Sequence, residues 1–345
     1  MPENDARLAL VHHWLSVDLG LRPERVEPAS SDASFRRYFR AFRGEKTYIV
    51  MDAPPDKEDV RPYLKVTGLL EGIGVHVPHV HEADTGRGLL LLEDLGGTHY
   101  LQRLNAGDDV EGLYGAALSA LADIQTRGEA AAAQLPPYDR EALARELALM
   151  PEWFLGRHLQ LQLSAAESAT LAGAFEFLIR DALTQPAVFV HRDYHSRNLM
   201  VLAQRSPGVI DFQDALRGPV GYDLVSLLKD CYIGWPRERV EGWVAGYREL
   251  LRARGGPAGS DGRQFLRWFD LIGVQRHIKV LGIFARLWYR DGKAAYLRDL
   301  PLTLGYVRDT CRRYSELAPL SELLERRVVP EFPRANAQAL AGSSG

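Results

Sequence analysis

The sequence predicts an α+β protein with a small, largely antiparallel β-rich N-terminal lobe and a larger, mostly helical C-terminal lobe. Short segments rich in aromatic and β-branched residues dominate before about residue 97. After it, long segments carry apolar residues at three- and four-residue spacing, interrupted by one compact β element at 187–212. We therefore predict an N-lobe over 1–95, a C-lobe over 96–333 and a disordered tail over 334–345.

The N-lobe elements follow from alternation and turn residues. The segments FRRYFRAF (35–42) and TYIVMD (47–52), separated by the polar turn RGEK, predict a β-hairpin. An amphipathic helix is predicted from about Val60 to Glu71, with its apolar residues on one side. Two further strands are predicted at VHVPHVHEA (75–83) and GLLLLED (88–94), joined by the turn DTGRG. These elements predict a small antiparallel sheet with one helix packed against it.

The C-lobe elements have helical periodicity. Apolar residues recur at helical spacing in Leu113–Thr126, Arg140–Leu161 and Ala165–Leu183, so each segment is predicted to be a helix. The tail RANAQALAGSSG after Pro333 consists of small and polar residues, which predicts disorder.

Composition excludes several classes of protein. The 345 residues suffice for about two domains. A hydrophobic fraction of 46% with 25% charged residues is typical of a folded protein, and a net charge of −3 argues against a general nucleic-acid binder. Cys231 and Cys311 lie far apart, which disfavours a disulfide scaffold or a cysteine zinc site. The start MPENDARLAL is not typical of a secretory signal, and no stretch approaches the ~20 apolar residues of a membrane span. We expect a cytoplasmic protein that binds neither membrane nor nucleic acid.

The strongest functional signal is the segment HRDYHSRN (191–198), which lies between two short apolar segments. Asp193 and Asn198 are five positions apart in it, and Asp211 follows at the end of GVIDF. Phosphoryl transfer from ATP needs a carboxylate to accept the proton of the attacking hydroxyl and oxygen ligands to hold Mg²⁺. An isolated Asp–Asn pair in a loop is usually turn chemistry. The three residues in this order and context favour a phosphotransferase site instead.

This motif HxDxHxxN, followed by IDF and GPVGYDLVSL (218–227), resembles the aminoglycoside phosphotransferase family, which has a bilobal protein-kinase-like fold. The resemblance covers most of the chain. Four stretches, SSDASFRRYFR, YIVMDAPPDKED, MPEWFLGRHL and QRHIKVLGIFARLWYRDGK, are most similar to those members that phosphorylate N-acetylmuramate and N-acetylglucosamine. The resemblance implies ATP-dependent transfer to the anomeric hydroxyl of these amino sugars, giving the 1-phosphate in cell-wall (peptidoglycan) recycling. It implies Mg²⁺ as cofactor, with ATP as co-substrate.

The same resemblance assigns roles around the motif. It implies that Asp193 is the catalytic base and that Asn198 and Asp211 are magnesium ligands. His191 is expected to brace the catalytic loop. Asp223, near the start of a predicted helix, is expected to stiffen that loop by accepting backbone hydrogen bonds.

The N-lobe departs from the kinase pattern at its phosphate loop. The usual glycine-rich loop is replaced by PASSDAS, in which Ser30, Ser31 and Ser34 are predicted to donate hydrogen bonds to phosphate oxygens. The adenine is expected against the connector LLLLEDLGG, where the backbone of Glu93 and Leu95 offers one acceptor and one donor.

The usual ion pair of the kinase N-lobe is also missing. Met51 stands near the position of the third-strand lysine, and Tyr63 near that of its partner glutamate. Loss of both the lysine and the glutamate is energetically reasonable, because either residue alone would be a buried charge without its partner. We hypothesise that Arg36 or Arg37 supplies the cation for the phosphates; the alternative, that both line the exposed face of a strand, is equally open.

The acceptor is predicted from the basic segment Gln275–Arg298. Arg276 and Lys279 are one turn apart in it, which places them on a common side of a helix. A cationic pair there suits an acidic sugar such as N-acetylmuramate, whose lactyl carboxylate pairs well with arginine. The alternative is that these charges belong to a solvated helix face.

Further candidates for the acceptor site are aromatic and polar. Trp153 and Trp235 are candidates to stack on a pyranose ring, although buried aromatics more often belong to a core. His195 either braces the catalytic loop or lines the acceptor site, and Asp214 is a candidate to face the sugar.

Two other functions stay open at this point. The first is a kinase for another small alcohol, such as an aminoglycoside or choline. The second is a non-catalytic pseudokinase, suggested by the missing lysine and glutamate. The pseudokinase interpretation is disfavoured because the sequence retains a complete catalytic and magnesium-binding set, Asp193, Asn198 and Asp211.

Overall fold

The computed structural model describes residues 5–31 and 35–342. The strands, in chain order, are β1 (Arg25–Ser31), β2 (Arg37–Arg43), β3 (Lys46–Asp52), β4 (Val80–Asp84), β5 (Leu89–Glu93), β6 (Ala187–Val190), β7 (Leu199–Met200), β8 (Gly208–Val209) and β9 (Leu216–Pro219). The α-helices are α1 (Ala6–His13), α2 (Arg61–Gly72), α3 (Tyr100–Asn105), α4 (Val110–Arg127), α5 (Glu129–Ala132), α6 (Arg140–Leu147), α7 (Ala165–Thr184), α8 (Gly221–Leu228), α9 (Arg237–Ala253), α10 (Gly262–Asp291), α11 (Leu300–Cys311), α12 (Ala318–Leu323) and α13 (Phe332–Gly342). Shorter π-helical or 3₁₀-helical segments are Trp14–Asp18, Met150–His158, Ala294–Asp299, Ser315–Leu317 and Leu324–Val328.

The chain forms two compact units. The first consists of the residues up to Tyr100 together with Arg197–Asp214, and the second of Leu101–Ser196 and the residues from Ala215 onward. The segment 197–214, which the sequence assigns to the C-lobe, thus belongs to the first unit. Its backbone explains why: the Val201 N–H donates to the Thr98 carbonyl and the Val209 N–H to the His76 carbonyl, each at 2.8 Å.

The first unit is built on one antiparallel sheet with the strand order β1-β2-β3-β5-β4. The predicted hairpin is confirmed, with β2 paired to β3 from Arg37–Asp52 to Arg43–Lys46. The predicted helix is α2, and the pairing of β4 with β5 is also confirmed.

Two elements of this unit are absent from the sequence-based prediction. Strand β1 (RVEPASS) is polar and contains a proline, so it lacks the alternation typical of a strand. Helix α1 is only eight residues long; its N-cap Asp5 accepts a hydrogen bond from the Leu8 N–H. The chain from α1 to Leu15 contributes to the core of this unit. Its residues Val11, Trp14 and Leu15 belong to the same buried apolar cluster as Phe39, Val50 and Leu91 of the sheet.

The second unit is organised around α10, which packs on α7, α8, α11 and the segment Met150–His158. Gly282 permits one close approach: a Cβ atom there would lie 2.4 Å from the carbonyl carbon of Leu149. The predicted helix Arg140–Leu161 is divided, because α6 ends at Leu147 and a π-helical segment containing Pro151 follows. Although α10 has 30 residues, no helix in the described ranges has the length and apolar character needed to cross a bilayer.

The prediction of a disordered tail is wrong as far as the structure describes it. Residues 332–342 form α13, consistent with the high helix propensity of their alanines. Phe332 is buried with its ring 5.9 Å from that of Phe154, and Asn336 Nδ2 donates to the Leu297 carbonyl at 3.1 Å. These contacts fix a segment whose composition alone indicates disorder.

Candidate active site

The loop 191–196 of the second unit, which the sequence predicts to be the catalytic loop, begins where β6 ends, and a buried aspartate holds its first residues. Asp223, in the first turn of α8, accepts hydrogen bonds from the His191 N–H at 2.6 Å and the Arg192 N–H at 3.0 Å. Burial raises the pKa of the Asp223 carboxyl to about 7, against the effect of these two bonds. His191 is fully buried, and its Nδ1 accepts from the Asp193 N–H at 3.3 Å. The side chains of both residues thus accept hydrogen bonds from the backbone of the loop.

The end of the loop is held by residues that the sequence did not reveal. Asp230 is almost fully buried and accepts hydrogen bonds from the hydroxyl and the backbone N–H of Ser196, the latter at 3.0 Å. The buried Tyr194 hydroxyl donates to the Ala117 carbonyl at 2.8 Å. The signal for Asp230 is an acidic residue two positions after the apolar run of α8, where an unpaired charge would be costly.

Asp193 lies within a cationic environment. Its side chain is 42% exposed, and its Oδ1 lies 3.8 Å from Nη2 of Arg276. Partial burial acts to raise the pKa of its carboxyl, but neighbouring cations outweigh this and lower the pKa to about 2. These cations are Lys279, His195, Arg276 and Arg192. Asp193 is therefore ionised throughout the neutral pH range.

Arg276 and Lys279 lie one turn apart on α10, as predicted, but both are buried rather than on a solvated face. Lys279 Nζ is 2.9 Å from Oε1 of Glu146 and donates to the Tyr222 hydroxyl at 3.0 Å. These partners occupy the ammonium group and argue against its predicted role in acceptor binding. Arg276 differs: its Nη1 reaches only Cys231 Sγ, at 3.8 Å, and its Nε has no hydrogen-bond partner among the described residues.

The other acceptor candidates have different surroundings. The His195 ring lies edge-on to Tyr232, with centroids 5.3 Å apart. Trp235 Nε1 donates to the Tyr114 hydroxyl at 2.7 Å, and the Arg157 guanidinium lies 4.9 Å from the ring centroid of Trp153. The second unit thus brings Asp193 together with Arg276 and His195, whereas the two tryptophans belong to separate contacts.

In the first unit, polar side chains surround Asp211, which follows β8. Its Oδ1 accepts from Arg36 Nη2 at 3.3 Å and Gln213 Nε2 at 2.9 Å, and its Oδ2 accepts from Asn198 Nδ2 at 3.3 Å. The φ of Asp211 is +64°, a left-handed conformation that costs a non-glycine residue about 1 kcal/mol or more. Such strain is concentrated at functional sites, which supports the assignment of Asp211 to the site.

The residues around Asp211 fit a magnesium ion. Asp211 and Asn198 offer carboxylate and amide oxygens, the hard ligands that Mg²⁺ prefers. Mg²⁺ usually keeps several waters and takes further oxygens from substrate phosphates, so two protein ligands suffice. In the ranges the structure describes, no group of three or more His, Cys, Asp or Glu residues is arranged to hold a metal. The carboxylate–amide pair is therefore the candidate magnesium site.

The two arginines proposed as the N-lobe cation have different partners. The Arg36 side chain is 10% exposed and directed to Asp211. Arg37 forms ion pairs with Asp5 and with the buried Asp52, whose Oδ2 is 2.6 Å from Nη2 of Arg37. The structure thus places Arg37 in a structural ion network, contrary to its predicted role in nucleotide binding.

The two residues predicted to stand in place of the kinase lysine and glutamate are buried. Met51 is fully buried in β3, and Tyr63 is buried in α2 with its ring 4.8 Å from that of Phe212. Neither side chain carries a charge at neutral pH, so neither needs a buried counter-ion.

The remaining nucleotide-binding candidates lie along the sheet. Ser30 and Ser31 belong to β1, paired with Tyr38 and Arg37, and Ser34 falls outside the described residues. Leu95 is buried.

Glu93 ends β5 and belongs to a polar cluster. Its carboxylate contacts His76 Nε2 at 3.2 Å and accepts from the His79 N–H at 3.3 Å. Asp214, the last residue of the first unit, is exposed.

The phosphotransferase enzyme family is the family whose sequence model matches this chain, over residues 25–269. The N-acetylmuramate/N-acetylglucosamine kinase of Pseudomonas aeruginosa is 47% identical over 331 residues, which cover 93% of this chain and 97% of that protein. The protein of the same name from Neisseria meningitidis is 45% identical over 323 residues, covering 92% and 95%.

Solved structures resemble the fold at much lower identity. Choline kinase LicA from Streptococcus pneumoniae gives a TM-score of 0.63 at 13% identity, covering 88% of this chain and 100% of that chain. ADP-bound aminoglycoside phosphotransferase APH(2'')-Ib gives 0.56 at 14% identity, covering 88% and 97%. These similarities confirm the predicted kinase-like α+β fold.

Proposed function

Because the chain belongs to the phosphotransferase enzyme family, we propose that it transfers the γ-phosphoryl group of ATP to the anomeric hydroxyl of N-acetylmuramate and N-acetylglucosamine. The product is the sugar 1-phosphate, and the reaction serves cytoplasmic recycling of cell-wall sugars. The observation that carries the proposal is the high identity, over nearly the whole chain, to relatives named N-acetylmuramate/N-acetylglucosamine kinase.

The proposed chemistry at Asp193 is that of a weak base. The anomeric oxygen bonds to the γ-phosphorus, the bond from that phosphorus to the β–γ bridging oxygen breaks, and ADP leaves. With a pKa of about 2, Asp193 cannot remove the proton before attack. In a loose transition state the attacking oxygen becomes acidic only as its bond to phosphorus forms. Asp193 therefore orients the hydroxyl and receives its proton late in the reaction.

The proposed phosphate site lies around Asp211. Asp211 and Asn198 would hold Mg²⁺. When bound, the ion neutralises phosphate charge and orients the transferring group. Arg36, which lies beside Asp211, supplies the positive charge that the absent lysine provides in other kinases.

The remaining nucleotide contacts are proposed along β1 and after β5. The residues Ser30, Ser31 and Ser34 donate to phosphate oxygens in this proposal. Backbone groups of Glu93 and Leu95 hydrogen-bond the adenine edge.

The charge around Asp193 supports an anionic or neutral acceptor. The Nε of Arg276 has no hydrogen-bond partner among the described residues, and Arg276 is the group proposed to receive the lactyl carboxylate of N-acetylmuramate. His195 and Asp214 are proposed to contact sugar hydroxyls. The excess of cations around Asp193 would repel a protonated aminoglycoside or choline, which makes these acceptors the weaker alternative.

A phosphate-transfer assay tests the proposal. Labelled ATP is offered with N-acetylmuramate, N-acetylglucosamine, choline or kanamycin, and ³¹P NMR identifies the site of phosphorylation. We expect a 1-phosphate with the two amino sugars and a loss of about 10³-fold or more in Asp193→Asn. Asp181→Asn is the control, because Asp181 is a mostly buried acid of the same unit on α7. Transfer to choline or kanamycin alone would replace the proposed acceptor, and no transfer to any alcohol would support a pseudokinase.

A further inference from the structure

We propose that Asp230 is a positioning residue, which holds the end of the loop 191–196 and so fixes the backbone that carries Asp193. The proposal rests on the proposed phosphotransferase function, in which Asp193 is the base. It gives a role to a residue outside the HxDxHxxN motif and two positions beyond the end of α8. Asp230 is 1% exposed, and a carboxylate so removed from water persists only where its oxygens are satisfied.

Both oxygens of Asp230 accept hydrogen bonds. Oδ2 accepts from the Ser196 N–H at 3.0 Å and from the Ser196 hydroxyl, and Oδ1 accepts from the Tyr232 N–H at 3.0 Å. Ser196 is also 1% exposed. Removal of the carboxylate would therefore leave a buried backbone N–H unpaired, which is unfavourable. The contact holds the backbone of the loop as well as a side chain.

The residue before Asp230 is fixed by two other helices. The Lys229 carbonyl accepts a hydrogen bond from His277 Nε2 of α10 at 2.9 Å. The Lys229 ammonium group donates to Asp270 Oδ1 of α10 at 3.1 Å and to the Thr310 hydroxyl of α11 at 3.2 Å. Lys229 is thus held at its backbone and at its side chain. Asp230 follows directly and is a fixed point against which the loop is held.

Asp223 and Asp230 hold opposite ends of the loop. Asp223 accepts from backbone N–H groups at the start of the loop, and Asp230 accepts from Ser196 at its end. Between the two, the Asp193 carbonyl accepts from the His195 N–H at 3.0 Å, which joins the base to the residue before Ser196. A backbone held at both ends and across this turn determines where the Asp193 side chain projects.

The first experiment measures the kinetics of Asp230→Asn. An amide accepts through one oxygen only. The arrangement that satisfies most groups gives this oxygen to the Tyr232 N–H and the NH₂ group to the Ser196 hydroxyl oxygen, so the Ser196 N–H is left unpaired. We expect kcat to fall by roughly 30-fold, because misplacing a reacting group by about 1 Å can cost about 10²-fold. KM for ATP should stay unchanged within about twofold.

Glu167→Gln is the matched control for loss of stability. The Glu167 side chain is 8% exposed and pairs with two arginines, Arg326 and Arg327, but it lies on α7 rather than beside the loop. The control is expected to lower the melting temperature and to keep kcat. If Asp230→Asn likewise loses only thermal stability, the proposal is wrong.

A double-mutant cycle provides a readout that a merely structural role would not give. Ser196→Ala removes the hydroxyl and keeps the backbone N–H, and its kcat is expected to fall by roughly fivefold. Asp230→Ala removes both acceptor oxygens, so Asp230→Ala/Ser196→Ala should lose no more than about twofold beyond Asp230→Ala alone. A normal kcat in Ser196→Ala, or losses that multiply in the double variant, would overturn the proposal. If Asp230→Ala does not fold, hydrogen exchange in Asp230→Asn decides the question.

Amide hydrogen exchange, measured by NMR, tests the contact without any acceptor. The Ser196 N–H donates to Asp230, whereas the His191 N–H donates to Asp223. In Asp230→Asn we expect exchange at Ser196 to accelerate by roughly tenfold or more, with exchange at His191 unchanged. Unchanged exchange at Ser196 would overturn the proposal. Absence of transfer by the wild type to either sugar would instead refute the proposed function, and exchange at Ser196 would still decide whether Asp230 holds the loop.

Discussion

Nη2 of Arg36 lies 3.3 Å from Oδ1 of Asp211, although the two residues are 175 positions apart in the chain. This contact brings a cation to the proposed magnesium ligand in a protein whose N-lobe lacks the usual lysine. Met51 and Tyr63 stand near the positions where the lysine and its partner glutamate are expected, and both are buried and uncharged. Arg36 is thus the candidate for the phosphate cation.

Replacing Arg36 should weaken ATP binding. Arg36→Ala is expected to raise KM for ATP by roughly tenfold, since a charge-assisted hydrogen bond contributes about 1.5–3 kcal/mol. Arg37→Ala is the matched control: it removes a partner of the buried Asp52 and should lower the melting temperature with little effect on KM. Steady-state kinetics and thermal melts check both. A normal KM in Arg36→Ala would assign the cation elsewhere.

The pH profile tests the role of Asp193. Its pKa of about 2 means that it is deprotonated at all pH values where the protein is assayed. We therefore expect no acidic limb of kcat/KM from Asp193 between pH 5 and pH 8. The profile of Asp193→Asn should have the same shape at a much lower level. An acidic limb near pH 6 that this substitution removes would contradict the prediction.

The fold could be predicted where local patterns agree with tertiary structure. The β2 and β3 segments are rich in aromatic and β-branched residues and are separated by a polar turn, so the hairpin could be predicted from sequence alone. Helix α13 was missed because its composition resembles a linker, whereas in the structure the buried Phe332 and Asn336 anchor it. The residues 197–214 were assigned to the wrong unit, because backbone pairing to Thr98 and His76 is not visible in sequence.

The candidate site could be predicted only in part, for a similar reason. Asp193, Asn198 and Asp211 are close in sequence and form a recognisable motif. Glu146 is 46 positions before its partner Arg192, and no motif links the two. The helical spacing of Arg276 and Lys279 predicts that they share one side of α10. In this part of α10 every side of the helix is buried, so the spacing alone could not show whether the two charges are buried or exposed to solvent.

Arg276 should determine the preference for an acidic acceptor. Arg276→Met removes the guanidinium and keeps much of the volume, so kcat/KM for N-acetylmuramate should fall about tenfold more than that for N-acetylglucosamine. Kinetics with both sugars at saturating ATP measure the ratio. An equal loss for both sugars would show that Arg276 acts on Asp193 rather than on the lactyl carboxylate.

The stability of the second unit should depend on pH through His158. This residue is 2% exposed and stacks with Phe154, with ring centroids 5.8 Å apart. Burial lowers its pKa from 6.5 to about 4. The unfolded chain therefore takes up a proton near pH 6.5, whereas the folded protein does so only near pH 4. Stability contributed by the neutral ring is present above pH 6.5 and is lost progressively as the pH falls toward 4.

Removing the titrating group tests this dependence. His158→Phe keeps an aromatic ring against Phe154, so its melting temperature should fall less between pH 7 and pH 4.5 than that of the wild type. The wild-type loss attributable to His158 is up to about 3 kcal/mol. Part of the slope will persist, because burial also lowers the pKa of His277, to about 3. His12→Gln, at an exposed position, is the control, and it should change the melting temperature equally at both pH values. If the melting temperatures of His158→Phe and of the wild type depend equally on pH, His158 does not titrate on unfolding.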